Sequence, residues 1–134
     1  MAYGDKKHYT QMDQLESDFL MRKFFEIDQQ EWSFTSYCVT RFNERKIDAE
    51  HFLSLFNSDV QLIEYHMKHN SNRILLRSKA IHEGYQVCAV FNLTDKRIVT
   101  VYTNKITNQH NRLKKEFYNP NLDVFSKYNE VKRK

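Results

Sequence analysis

Between Thr10 and Ile27 the apolar residues Leu15, Phe19, Leu20, Phe24 and Ile27 recur at three- and four-residue spacing, which predicts a helix with one buried stripe. Thr10 can cap it, and Asp13 sits at the end where the helix dipole favours an acid. The polar link Asp28–Glu31 leads to Trp32 and to Ser33, a candidate cap for a second helix that places Phe34, Cys38 and Phe42 on one face. Tyr37, Arg41 and Arg45 form the neighbouring stripe, each one turn from the last. Asp48 caps a short third helix whose apolar side is Phe52, Leu53, Leu55 and Phe56, and Asn57–Asp59 ends it.

Beyond Asp59 the period shortens. Val60–Met67 reads as a strand, Lys68–Asn72 as a turn, Arg73–Ile81 as a second strand, and His82-Glu83-Gly84 as another turn. Tyr85–Leu93 has the strongest β-propensity in the chain because it combines β-branched and aromatic residues. Thr94–Lys96 is a hairpin-length turn into Arg97–Lys105. Asn108–Tyr118 suits a short basic helix bearing Leu113 and Phe117, which Pro120 stops.

Strands of this length joined by short turns predict an antiparallel meander of about four strands, with the N-terminal helices packed on one face. The expected fold class is α+β. Residues 1–9 read as a flexible N-terminus, 10–118 as a single domain and 119–134 as a basic C-terminal tail. On the last strand, strict alternation sends Val99, Val101 and Thr103 toward the helices and Ile98, Thr100, Tyr102 and Asn104 to the other face.

Composition removes several classes of function. The 134 residues suit one domain. No run approaches the ~18 apolar residues of a membrane-spanning helix, so no membrane role is expected. Asp5, His8 and Asp13 interrupt the stretch where a secretory signal would be apolar, which sets the expectation of a cytoplasmic site of action. Cys38 and Cys88 stand alone inside apolar runs and read as buried thiols rather than metal ligands. With two Gly and one Pro there is no glycine-rich phosphate loop. Charge adds direction. Of 21 Lys and Arg, eight fall in residues 105–134 against three acids, so the net charge of +4 belongs to that end. A localised cationic field favours an anionic partner, of which nucleic acid is the commonest, although basic tails are equally common on proteins that bind nothing specific.

Three groups of residues could carry chemistry. Thr100 and Tyr102 share a strand face with origins ~6–7 Å apart, a pair of hydroxyl donors on a rigid element. Tyr37, Arg41 and Arg45 offer two guanidinium forks suited to phosphate, although such a stripe also serves as an ordinary solvated helix rim. Lys105, Arg112, Lys114 and Lys115 extend the cationic surface. Among the six histidines, His82 beside Glu83 is the better acid–base candidate. His66 and His69 lie close across a turn without a third ligand, so no metal and no cofactor is expected.

The run SYCVTRFNERKI (Ser36–Ile47), then a short helix, a meander and IVTVY (Ile98–Tyr102), resembles the small microbial ribonuclease and toxin domains of the barnase–EndoU–colicin–RelE type superfamily. The branch most similar carries His-x-x-x-Arg-x-x-x-Arg-x-Ile on its helix and ends on a strand reading Thr-Val-Tyr. Arg41, Arg45 and Ile47 match the helix, Thr100 and Tyr102 match the strand, and Tyr37 stands where that pattern has histidine. The resemblance implies a metal-independent endoribonuclease in which the RNA 2′-hydroxyl attacks its own phosphodiester and leaves a cyclic phosphate. Arg41 and Arg45 would neutralise the phosphate, Thr100 and Tyr102 would position it, and His82, His66 or an activated Tyr37 would take the proton. A tyrosine, with a reference pKa of ~10, is a poor base near neutrality. The departure at Tyr37 therefore keeps open a non-catalytic nucleic-acid-binding module, or one that engages a host or inhibitory protein through helices rich in Phe19, Phe24, Phe25, Phe34 and Phe42.

Overall fold

The computed structural model describes residues 5–45, 47–108 and 117–131. In chain order the regular elements are β1 (Lys6–His8), α1 (Gln14–Glu26), β2 (Ser33–Phe34), α2 (Ser36–Arg45), α3 (Ala49–Leu53), β3 (Gln61–Lys68), β4 (Ser71–Arg77), β5 (Tyr85–Asn92), β6 (Arg97–Lys105) and α4 (Val124–Asn129). The α+β class is as the pattern predicts. The sheet, however, is mixed and six-stranded, in the order β1-β3-β4-β5-β6-β2. Its centre is the predicted meander of β3, β4, β5 and β6, each antiparallel to the next. The edges are new. Lys6–His8, expected in a flexible arm, pairs antiparallel with β3, and Ser33–Phe34 pairs parallel with β6. Segments of three and two residues carry no periodicity of their own, so only the neighbouring strand makes them strands.

Capping explains where the helices begin. Asp13, rather than Thr10, caps α1: its carboxylate accepts from Glu16 N at 2.8 Å while Glu16 Oε1 accepts from Asp13 N at 3.2 Å. Because Ser33 is drawn into β2, Thr35 takes the cap of α2, with its Oγ1 accepting from Cys38 N at 3.1 Å. The same hydroxyl donates to Val99 O at 3.0 Å, which ties the start of α2 to β6. Asp48 caps α3 as expected, accepting from His51 N at 3.1 Å. His69 and Asn70 form the β3–β4 hairpin turn with φ of 51° and 56°, the left-handed pair that two-residue hairpins require.

The main core lies between the sheet and the helices. Leu20 and Phe24 of α1, Cys38 of α2 and Leu55 meet Val87, Ala89 and Phe91 of β5. A smaller cluster of Ile63, Leu75 and Cys88 occupies the opposite face, with Tyr102 packed against it. Cys38 and Cys88 are therefore free, buried thiols on opposite sides of the sheet.

Strict alternation fails on β6. Val90 pairs with Thr100 but Phe91 pairs with Ile98, which leaves Val99 as the extra residue of a β-bulge. Ile98 therefore faces the helices together with Val101, and Val99, assigned to the core by period, turns out of it. Thr103, also assigned to the core, is exposed. Thr100 and Tyr102 keep their predicted face.

The C-terminal segment is not simply a tail. Leu122 and Val124 are buried in the main core, and Asp123 caps α4 by accepting from Phe125 N at 3.0 Å. The basic helix predicted over 108–118 falls mostly outside the described residues, as do Arg112, Lys114 and Lys115.

Candidate nucleic-acid interface

Residue Cys38 anchors α2 in the core, and this fixes what its other positions can do. Tyr37, 58% exposed, lies beside Arg41, whose guanidinium carbon is 5.9 Å from the tyrosine ring centroid. Arg41 Nη1 stands 3.8 Å from Glu44 Oε1, a loose pair at the surface, and Arg41 Nε is shielded without a hydrogen-bond partner. Together they present an aromatic face and a cation to solvent. Arg45, one turn on, is used differently. Its Nη1 donates to Val101 O at 2.5 Å, so the guanidinium closes the free edge of β6 beyond the reach of β2.

The predicted hydroxyl pair approaches from the other side. Thr100 lies opposite Val90, and Tyr102 lies opposite Cys88 on the face away from the helices. Burial, then the neighbouring Cys88 and Glu64, push the Tyr102 phenol well above its ordinary pKa, so it stays protonated and neutral near pH 7. The arginine stripe and the hydroxyl pair thus share β6 as a neighbour while their side chains lie on different sides of it. The two predicted segments pack through Cys38, Ile47, Ile98 and Val101 in the core, and among their site residues Arg45 reaches the main chain between Thr100 and Tyr102.

The remaining candidates are dispersed. His82 occupies the β4–β5 turn, exposed, with its ring 5.5 Å from that of His51 in α3. It bridges to Tyr85, which pairs with Lys105, roughly 10 Å along β6 from Tyr102. Lys105 is exposed, and its carbonyl accepts from the buried Arg77 at 3.0 Å. His66 sits in the middle of β3 between Lys6 and Arg73, and burial, followed by Lys6, lowers its pKa. His69 is in the hairpin turn. Among the described residues no group of three or more metal-ligating side chains exists, and no helix is long and apolar enough to cross a membrane.

One arrangement was not legible in the sequence. Arg73, Asn92 and Arg97 are register partners on three adjacent strands, so their side chains line up on the face opposite the helices. With Thr35, Asp95 and the bulged Val99 they line an open groove of about 470 Å³. Asn92 organises its floor: its Oδ1 accepts from Thr94 N and Asp95 N at 3.0 Å each, and its Nδ2 donates to Asp95 Oδ2 at 3.1 Å. The single trace of this in sequence is that Arg73 and Arg97 each stand beside a turn at one end of a strand.

Comparison of the chain with protein families, with characterised proteins and with solved structures finds no match.

Proposed function

We propose that this chain binds RNA through a surface built on α2, without cutting it. The observation that carries this reading is the exposed Tyr37 beside the half-buried Arg41 guanidinium. An aromatic face stacks any base, and a guanidinium beside it holds the adjoining phosphate by paired hydrogen bonds. The cationic C-terminal thirty residues add backbone attraction that salt screens. The side chains that cleavage needs support it less. The Tyr102 side chain lies on the opposite face of the sheet from α2, His82 is with His51 at the far end of β6, and Arg45 is occupied by a carbonyl.

A second reading, the metal-independent endoribonuclease implied by the resemblance, keeps one observation in its favour. The helix and strand segments that carry it are separated by some fifty residues in sequence and yet touch through Arg45 and Val101. In that reading the RNA 2′-hydroxyl attacks its own phosphorus as the P–O5′ bond breaks, giving a 2′,3′-cyclic phosphate. His82, His66 or Tyr37 takes the 2′ proton, the 5′ oxygen leaves as a hydroxyl protonated from water, and Arg41 takes up the negative charge.

Both readings meet one experiment. Labelled mixed-sequence RNA is incubated with the full chain in EDTA, and binding and fragments are followed over a series of salt concentrations. The expected result is salt-sensitive binding without fragments, weakened about tenfold by Tyr37→Ala or Arg41→Gln. Fragments ending in 2′,3′-cyclic phosphate, lost in Arg41→Gln and Tyr102→Phe, would establish the endoribonuclease instead. An absence of binding at low salt would overturn both and leave a protein-interaction module.

A further inference from the structure

We propose that the groove between Arg73 and Arg97 is a phosphate-binding site on the sheet face opposite the helices, distinct from the α2 surface. Its natural occupant is a phosphodiester of the RNA strand, and this last identification rests on the RNA-binding reading above.

Three observations lead there. Arg73 and Arg97 flank Asn92 across three paired strands, and at the usual strand spacing their Cα atoms stand ~10 Å apart. Guanidinium groups reaching inward from that separation can grip one phosphate from both sides. Next, the charge is uncompensated. Among the described residues neither arginine has a carboxylate within ion-pair distance, and Arg97 has no side-chain hydrogen bond at all. Arg73 has one, from its Nε to Ser71 Oγ at 3.1 Å, which leaves its terminal nitrogens to point elsewhere. The acid lining the groove, Asp95, is turned to the Asn92 amide, and Glu64 further along the sheet is held by Lys6 at 3.1 Å and Tyr118 at 2.7 Å. Two cations fixed at their Cα atoms on a paired sheet and lacking a carboxylate are available to an anion: Arg73 is partly ordered by Ser71, whereas the exposed Arg97 gives up side-chain freedom on binding.

Third, the bulge shapes the groove. By turning Val99 out of the core it gives a polar cleft an apolar wall, and Thr35 fixes that wall by donating to Val99 O. A cation pair beside an apolar surface suits a nucleotide better than a bare ion. The cleft volume is also in the range usual for small-ligand sites.

The test is an amide NMR titration of the full chain with inorganic phosphate, with uridine monophosphate and with a short oligouridylate. Wild type, Arg73→Gln, Arg97→Gln and Arg22→Gln, an exposed arginine of α1, are compared. The expected result is movement of the Asn92 and Val99 amides with all three probes, oligouridylate binding tightest. Arg97→Gln and Arg73→Gln should each weaken that affinity about tenfold, and Arg22→Gln should leave it unchanged. Arg97 is exposed, so its variant carries the test even if Arg73→Gln disturbs β4. If the amides of Asn92 and Val99 ignore every probe, or Arg97→Gln binds as the wild type does, the groove is not a phosphate site. Retained RNA binding with shifts only at Tyr37 and Arg41 would overturn this proposal and spare the RNA reading. Groove shifts with phosphate and the mononucleotide but none with oligouridylate would keep the phosphate site, assign it to free nucleotides and overturn the RNA phosphodiester as its occupant, while RNA binding at Tyr37 and Arg41 is judged by its own shifts.

Discussion

Lys7 Nζ lies 2.8 Å from Glu16 Oε1 and 3.1 Å from Glu16 Oε2, and both side chains are almost entirely removed from water. The ion pair joins β1 to α1. Its remaining hydrogen bonds go to the C-terminal segment: Lys7 donates to Leu122 O at 2.8 Å, and Glu16 Oε2 accepts from Val124 N at 3.1 Å. Three stretches distant in sequence are thus fastened at one buried point. Burying two charges is tolerated only because almost every valence is met.

Removing one partner should be far more harmful than removing both. Glu16→Gln or Lys7→Met alone leaves a buried charge unmatched and should cost about 3–5 kcal/mol of stability, with a smaller loss in the double variant. Urea unfolding of the four proteins measures this cycle. Hydrogen exchange should speed up first at Leu122 and through α4 while β4 and β5 stay protected. Equal, small losses in both single variants would mean the pair is not buried.

Acid should weaken the fold in part through His66. Burial and the cations Lys6, Lys68 and Arg73 lower its pKa in the folded chain, against a partial opposing effect of Glu64. The unfolded chain therefore binds a proton more readily, and stability is lost as pH falls through ~6.5 toward the folded value. Unfolding midpoints measured between pH 7.5 and 5.5 should fall more steeply in the wild type than in His66→Gln. Lys6→Gln should raise the His66 midpoint seen by NMR, since a nearby cation is removed. A wild-type midpoint above the ordinary histidine value would contradict the placement.

The thiols should be chemically silent in the native state. Burial pushes Cys38 and Cys88 each up to about 11, so almost no thiolate exists at pH 8. Iodoacetamide followed by mass spectrometry should label neither until denaturant is added, and then both. Because the two lie on opposite faces of the sheet, oxidation should yield no intramolecular bridge. Rapid labelling of Cys38 in the folded chain would show that α2 leaves the core.

How much of this was readable in advance differs between levels. Leu20, Phe24, Cys38 and Phe52 are core residues by periodicity and core residues in the fold. The meander from β3 to β6 follows from turn residues and β-propensity, both local properties. Ser33 misleads because its cap chemistry is real, but its N–H donates to Lys96 O at 3.1 Å and so belongs to a strand edge. Val99 misleads because alternation assumes an unbroken ladder. For the site, Tyr37 and Arg41 are neighbours one turn apart as their spacing implies, whereas the engagement of Arg45 by Val101 O requires β6 to be in place.

Residue order alone decided the elements of this protein whose causes lie within a few positions: the amphipathic stripes of α1 and α2, the Asp48 cap, the hairpin signals and the cationic C-terminal end. Tertiary structure decided everything that depends on which strand lies beside which. It made strands of Lys6–His8 and Ser33–Phe34, drew Leu122 and Val124 into the core, and set Arg73 and Arg97 on one row. The reason is that hydrogen-bond register and burial are relations between distant residues, and a local pattern records only one partner of each.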